Sequence, residues 1–319
     1  MRVHLLKPPE ARFLERLASL PRFQWSSGSS IPPGAEVLVG GRPSREQLKA
    51  APWKALVIPY AGLPRPSREL LLEVAPELPV YNQHHNAEAV AESALALLFA
   101  LAKRVVPMDA ALRAGDWRPR YAPDPSVRLA GRSAVVLGYG AIGSRVSRLL
   151  SLLGLRVAAT RRRAVTPYDD AGVRVHPSSD TLALLGAADV VVLCLPGTPA
   201  TSGLLDADAL ARLPQGALLV NVARAAITPE ADLFASLRDG HLGGAALDVW
   251  WRYPDLDARG ATPASDLPFH GLDNVVLSPH RTGHGPWVEE ARYDALTETL
   301  TALAEGRAPA HRIDVREGY

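Results

Sequence analysis

Three side chains in the second half of the chain are of types that can hold an anion and move a proton: Arg224, Asp248 and His280. Arg224 lies in NVARAAITPEADL, just past the apolar run GALLVNV; Asp248 stands near the end of HLGGAALDV; His280 follows NVVLSP. Each run reads as a strand. In an open α/β sheet, ligands sit outside the carboxyl ends of the strands, so the three residues are expected in one layer. A guanidinium offers paired donors suited to a carboxylate. An imidazole gives or takes a proton near neutral pH. Three aromatics, Trp250, Trp251 and Tyr253, follow Asp248 before Pro254. They are expected as an apolar wall at the mouth of a substrate cleft, with packing between domains or subunits as the alternative for the tryptophans.

A second constellation lies upstream. VVLGYGAIGSRVSRLL carries Gly138, Gly140 and Gly143, with Ala141 and Ile142 opening a helical pattern after a strand-like run. G-x-G-x-x-G between a strand and a helix is the setting for a dinucleotide pyrophosphate. Gly138 permits the turn, Gly140 lets backbone approach the phosphates, and Gly143 allows close helix–strand packing. The helix N-terminus supplies N–H groups and positive dipole. The next strand, LRVAAT, runs into Arg161, Arg162 and Arg163, with no carboxylate before Asp169. A carboxylate there would hold a ribose 2′-hydroxyl, whereas a guanidinium pairs with a 2′-phosphate. NADP(H) is therefore expected in preference to NAD(H).

The elements that must position these groups alternate. RVHLL (2–6), AEVLVG (35–40), ALVIPY (55–60) and PVYN (79–82) read as strands, separated by helical patterns near 9–19, 44–51 and 67–75. An Ala/Leu-rich helix over 87–105 reads as an interdomain or subunit-interface element, and the Pro/Arg-rich stretch 115–132 as an extended crossing. A second series of strands covers 133–138, 155–160, 172–176, 189–195, 216–222, 241–249 and 274–279, with helices near 141–153, 181–187, 206–213 and 229–239. One amphipathic helix over 287–306 follows. Strands alternating with helices indicate α/β units and parallel sheets.

The 319 residues suffice for about two domains. A formal net charge of +2 argues against a nucleic-acid surface. The single cysteine, Cys194 in VVVLCLP, excludes an intrachain disulfide and reads as a buried core thiol. No apolar stretch reaches the roughly 18 residues that span a bilayer, and MRVHLLKPPE has no signal-peptide core. A cytoplasmic protein is expected, and no His/carboxylate spacing suggests a metal.

Taken in order, LGYGAIGSRV, CLPGTPATSGLLD, NVARAAITPEADL, GAALDVW and LSPHRTGH, with VAESALALLFALAKRV before them, resemble the D-isomer-specific 2-hydroxyacid dehydrogenases over nearly the whole chain. The resemblance implies an α/β fold: a Rossmann-type doubly wound parallel sheet, residues 101–285, inserted into a smaller flavodoxin-like α/β substrate domain, residues 1–100 plus 286–319. It implies a homodimer acting on a small 2-oxo or 2-hydroxy acid. Arg224 would bind the substrate carboxylate, and His280 would protonate the carbonyl oxygen in reduction. Asp248 would hold the nicotinamide carboxamide region. Leu195, Pro196 and Thr201 would line the adenosine side, with Val222 and Ala223 also at the cofactor. Tyr60, Ala61, Gly62 and Leu63 would form the loop whose backbone meets the substrate carboxylate, with Trp250 nearby. Asn82 and Glu92 also match family positions.

One position departs from the family. Where relatives place a Glu that pairs with the histidine, this chain has Tyr253; Asp255 and Asp257 come later. A neutral phenol would not stabilise an imidazolium as an anion does, so reduction is expected to be favoured toward acid pH. The departure keeps two other readings open. One is a dinucleotide-binding sensor or corepressor-like partner with impaired chemistry. The other is the same scaffold acting on formate or phosphite.

Overall fold

The computed structural model describes residues 1–18, 20–123, 125–254 and 262–319. Asp255 and Asp257 thus lie outside the described residues. In chain order the elements are β1 (Arg2–Leu5), α1 (Ala11–Ala18), β2 (Gln24–Ser27), β3 (Val37–Val39), α2 (Arg45–Lys49), β4 (Ala55–Val57), α3 (Arg65–Val74), β5 (Val80–Tyr81), α4 (Ala87–Ala102) and α5 (Val105–Arg113). There follow β6 (Ser133–Leu137), α6 (Ala141–Leu152), β7 (Arg156–Arg161), β8 (Tyr168–Asp170), β9 (Val173–Pro177), α7 (Thr181–Leu185), β10 (Val190–Leu193) and α8 (Ala207–Ala211). The last are β11 (Ala217–Asn221), α9 (Glu230–Arg238), β12 (Leu242–Leu247), β13 (Val275–Leu277), α10 (Pro286–Ala304) and β14 (Arg312–Ile313).

The chain divides into two compact units: Met1–Asn86 with His284–Tyr319, and Ala87–Gly283. In the first, the sheet order is β14-β5-β4-β3-β1-β2. Every pairing is parallel except β14 with β5. Two apolar clusters flank this sheet, one holding Val3, Leu17, Val37 and Val57 with Leu296 and Leu300 of α10, the other Leu38, Leu56, Leu71 and Ile313. The re-entering α10 is therefore part of the first unit's core, and Tyr293 stacks on Phe13 of α1 with ring centroids 3.8 Å apart.

The second sheet runs β13-β12-β11-β10-β6-β7-β9-β8, antiparallel only at the β8–β9 hairpin. The order reverses between β6 and β10, which is the switch point of a doubly wound sheet. The buried β6, β10 and β11 are near-continuous Val/Leu/Ala runs, as strands covered on both faces must be. One cluster joins Val136, Val192 and Val220 to α4 and α6; the other joins Leu137, Leu193 and Leu219 to Leu210 and Leu233.

Two expectations change here. α4 packs against α6, β11, β12 and β13, so the division falls at 86/87 and 283/284 rather than at 100/101 and 285/286. Its fit is close: a Cβ on Gly244 of β12 would lie 2.8 Å from Leu101 Cδ1. The helix also stops early, because Arg104 takes a left-handed backbone (φ 55°) and the chain restarts as α5. The 115–132 stretch returns across this same unit, with Val127 N donating to Ala102 O (2.8 Å) and Leu129 in the core. Among the described residues no helix is long and apolar enough to cross a membrane.

Candidate functional site

The glycine turn joins β6 to α6 in the second unit. Gly138 has φ +101°, and a Cβ there would stand 2.8 Å from the Cys194 carbonyl carbon. A Cβ on Gly143 would lie 1.9 Å from the Gly138 oxygen. Both positions thus exclude any larger residue. Gly140 is the N-cap of α6 and contributes no side-chain cap, so the first N–H groups of the helix are left for an anion. Thr160 O, at the end of β7, accepts from Gly138 N (3.2 Å) and Tyr139 N (2.7 Å), tying the turn to the strand that carries the arginines. Arg161, Arg162 and Arg163 are exposed beside it, and Arg161 Nη1 donates to the Tyr168 hydroxyl (3.2 Å). Tyr139 Oη donates to Asp170 Oδ2 (3.0 Å), so the β8–β9 hairpin is moored to the same turn.

Arg224 follows β11. Asn221 shapes this bend, its Nδ2 donating to Arg224 O (3.2 Å) and its Oδ1 accepting from Ala223 N (3.0 Å). The guanidinium donates to its neighbour's carbonyl, Ala223 O, at 2.6 Å. No carboxylate among the described residues pairs with it. Much of the residue reaches solvent, yet neighbouring atoms crowd the guanidinium enough for desolvation to lower its pKa, against a raising influence from Tyr253. Gly197 makes room for it: a Cβ there would fall 2.8 Å from Arg224 Cγ.

Asp248 and His280 follow β12 and β13. Asp248 is fully buried. Its Oδ1 accepts from the Ser278 hydroxyl and Arg281 N (2.8 Å), its Oδ2 from Thr282 N (3.3 Å) and the Thr282 hydroxyl. The loop so clamped carries His280, whose backbone is left-handed (φ 56°). His280 Nδ1 lies 2.9 Å from the Tyr253 hydroxyl, which also receives the backbone N–H of Trp250 at 3.2 Å. Tyr253 is half exposed, yet burial is the larger influence and pushes its phenol up; the Trp250 N–H and Arg224 oppose this and Asp248 adds to it. A guanidinium, an imidazole and a phenol thus stand past the ends of three adjacent strands, β11, β13 and β12, all within one compact unit.

The sequence model of the D-isomer specific 2-hydroxyacid dehydrogenase NAD binding domain matches residues 95–282, a span that falls within this unit. The chain belongs to that family. It is 31% identical to a glycerate dehydrogenase of Methylorubrum extorquens over 68% of this chain and 66% of that one. It is 33% identical to a D-3-phosphoglycerate dehydrogenase of Mycobacterium leprae over 74% of this chain and 42% of that one. The match therefore spans less than two thirds of these relatives' own lengths. A solved D-isomer specific 2-hydroxyacid dehydrogenase from Xanthobacter autotrophicus Py2, in complex with NADPH and MES, superposes with a TM-score of 0.79 at 25% identity over 100% of both chains.

Within this 2-hydroxyacid dehydrogenase fold, several expected roles are redistributed. Trp250 is no cleft wall: it is 9% exposed, its Nε1 donates to Ser278 O (2.8 Å), and it packs with Trp251 and Phe269. Trp251 stacks on Phe269 and donates to Thr228 O (3.2 Å). Indole rings with a polar partner for each N–H fill the core there. Asp248 is likewise not presented to a nicotinamide. A carboxylate offers about four acceptor sites, and the 278–282 loop takes all of them. Val222 and Ala223 are buried in the two apolar clusters, and the N–H and carbonyl of Ala223 pair with Asn221 and Arg224. Thr201 is spent within its own loop, its hydroxyl donating to Pro196 O (2.6 Å) and accepting from Thr198 N (2.9 Å). Leu195 is half-buried against the core, and burial pushes the thiol of its neighbour Cys194 up to about 12.

Tyr60, Ala61, Gly62 and Leu63 lie in the first unit, after β4, and all four are half-buried. Burial pushes the Tyr60 phenol up, with Arg42 and Arg292 pulling the other way. With the Asn82 amide oriented to satisfy both neighbours, its oxygen accepts from Gly62 N (3.2 Å) and its nitrogen donates to His311 O (3.2 Å). The residues that sequence reading missed are Asn221, Gly197, Ser278 and Thr282. Their signal was present, since each flanks a singled-out residue; Asn221 acts within its own bend, but the partners of Gly197, Ser278 and Thr282 follow other strands.

Proposed function

We propose that this chain is an NADP(H)-dependent reductase of 2-oxo acids, working reversibly as a D-2-hydroxyacid dehydrogenase. The second unit would hold the dinucleotide and the first would serve as substrate domain through the 60–63 loop. The observation that carries the reading is Arg224: a guanidinium without a carboxylate partner among the described residues, on the same strand-end layer as the His280–Tyr253 pair. Neither feature is needed to bind a dinucleotide, so the sensor or corepressor reading is not favoured. The formate or phosphite alternative is weighed by the same test.

The residues fit the cofactor. The cradle at Gly138 and Gly143 admits no Cβ, and the N-terminus of α6 carries no side-chain cap. Gly140, Ala141 and Ile142 would meet the pyrophosphate, Arg161 and Arg162 a 2′-phosphate, and Leu195 and Pro196 the adenosine side. When bound, the reduced nicotinamide supplies a hydride. Arg224 grips the substrate carboxylate through its fork and orients the 2-oxo group, while His280 delivers the proton to the carbonyl oxygen. The homodimer is part of the proposal. α5 buries none of its residues, and Val105, Val106, Leu112, Trp117 and Tyr121 stand exposed in and after it, an apolar face for a second copy. A cytoplasmic setting, where reduced nucleotides are supplied, completes it.

The test is NADPH and NADH consumption against glyoxylate, hydroxypyruvate and larger 2-oxo acids, and NADP⁺ or NAD⁺ reduction with formate and phosphite, with Arg224→Ala as control. Turnover of a 2-oxo acid with NADPH, lost in the variant, is expected. Tight NADPH binding with no turnover on any acid would overturn the reading.

A further inference from the structure

The hydrogen bond between Tyr253 and His280 has a direction. The backbone N–H of Trp250 can only donate, so the Tyr253 oxygen is an acceptor toward it (3.2 Å). The phenol's own proton then needs an acceptor, and His280 Nδ1 stands 2.9 Å away. An imidazole nitrogen that accepts at Nδ1 carries its proton on Nε2. A carboxylate in this place would do the reverse, since it accepts only and draws a proton onto Nδ1.

We infer that Tyr253 donates to His280 Nδ1, holds the neutral imidazole as its Nε2–H tautomer, and supplies the compensating proton at Nδ1 as His280 passes its Nε2 proton to the substrate oxygen. This rests on the reductase reading. As hydride reaches substrate C2, the C=O π pair moves onto oxygen and takes the Nε2 proton. The electron pair left on the ring draws the phenol proton onto Nδ1, so the imidazole remains neutral with its tautomer exchanged. Tyr253 becomes a phenolate; water then reprotonates Nε2 as the Nδ1 proton returns to the phenolate, which restores the phenol and the Nε2–H tautomer. The dihydronicotinamide is oxidised by two electrons, C2 is reduced by two, and the net proton comes from solvent. The phenolate formed in passing is held by the Trp250 N–H and faces Arg224, which follows β11. Asp248, at the end of β12, is the opposing charge, and its four hydrogen bonds to the 278–282 loop draw its negative charge toward that loop. An ordinary phenol is protonated through neutral pH and burial pushes this one further up, so the donor is present there. Tyr253 acts through His280 and is a positioning and relay residue.

The consequence differs from what the missing carboxylate alone suggests. Reduction does not require an imidazolium, so it need not fade as pH rises through the imidazole range. The test has a readout independent of turnover. Full-length protein labelled with ¹⁵N-histidine, with the His280 resonance identified by its loss in His280→Gln, reports which ring nitrogen bears the proton. The expected result is Nε2–H near neutral pH in the wild type, a mixed tautomer in Tyr253→Phe, and Nδ1–H in Tyr253→Glu. A proton on Nδ1 in the wild type, or an unchanged tautomer in the variant that folds, overturns the inference and leaves the reductase reading standing. Absence of turnover overturns that reading, while the tautomer remains measured. With an active substrate, the wild-type reduction rate is expected to stay level through the imidazole range. In Tyr253→Phe it falls about a hundredfold or more and gains a limb near pH ~6.5. A wild-type rate that falls through that range overturns the relay.

Discussion

Thr282 gives both its backbone N–H and its hydroxyl to one oxygen of Asp248, across 34 residues of sequence. With the Ser278 hydroxyl and Arg281 N on the other oxygen, the buried carboxylate closes the loop that presents His280. Removing it leaves buried donors unsatisfied, at about 1–3 kcal/mol for each stranded group. Asp248→Ala is therefore expected to lower the unfolding free energy by several kcal/mol, read as a lower urea midpoint, and to abolish turnover together with it. Asp248→Asn, which keeps shape but cannot accept all four bonds, should lie between. Unchanged unfolding in Asp248→Ala would mean the loop is held by other contacts.

Arg224 is expected to carry substrate affinity in a form lysine cannot replace. Hydrogen bonds to charged groups are worth about 1.5–3 kcal/mol each, so losing a two-pronged grip should lower kcat/KM about 10²- to 10⁴-fold in Arg224→Ala. Arg224→Lys keeps the charge without the fork and should recover only a minor part. The melting temperature should hardly move, because among the described residues the Arg224 side chain donates to Ala223 O alone. Steady-state kinetics and calorimetry on the three proteins check both statements.

The exposed arginines at the end of β7 set the expected nucleotide preference. Arg161→Ala with Arg162→Ala should raise the KM for NADPH about ten- to a hundredfold, the loss of one charged contact or so, and leave that for NADH nearly unchanged. Because a charge pair in solvent is screened, the wild-type preference should shrink as salt is raised. Equal affinities for the two nucleotides in the wild type would refute the assignment.

In the first unit, His85 titrates against the fold. Burial is the main cause that lowers its pKa from 6.5 to about 4, with Arg292 and His84 adding to it, and its buried Nδ1 has no hydrogen-bond partner among the described residues. Between those values the unfolded chain binds a proton that the native state refuses, so stability rises with pH there and is lost as pH falls. Asp116, held at about 2 by the Arg118 side chain, acts in a lower window: its contribution is present above the ordinary carboxylate range and is lost as pH falls toward 2. Urea midpoints measured from pH 7 to pH ~4.5 should fall in the wild type and fall less in His85→Gln. Parallel lines for the two proteins would contradict the assignment.

The parts of the fold that were legible in sequence are those governed by local rules. G-x-G-x-x-G announced its turn because φ +101° at Gly138 and the 1.9 Å approach at Gly143 tolerate no side chain. The buried strands showed as unbroken apolar runs. The strands that escaped reading were β2, β8 and β14. They are edge strands of two to four residues, too short to show a period, and β2 reads QWSS. α4 was recognised as a helix, but its Ala/Leu surface did not say which neighbour it packs against.

By itself the sequence determined the alternation of strands and helices, the dinucleotide turn, and the placing of Arg224, Asp248 and His280 at strand ends. Each follows from residue type within a few positions. Only the tertiary structure decided what those residues do to one another. Parallel strands bring together groups that lie 27 to 34 residues apart, Tyr253 with His280 and Asp248 with Thr282. Whether a phenol donates or accepts, and whether a carboxylate is left for a ligand or spent on a loop, depends on which donors arrive from the neighbouring strand, and no local pattern records that.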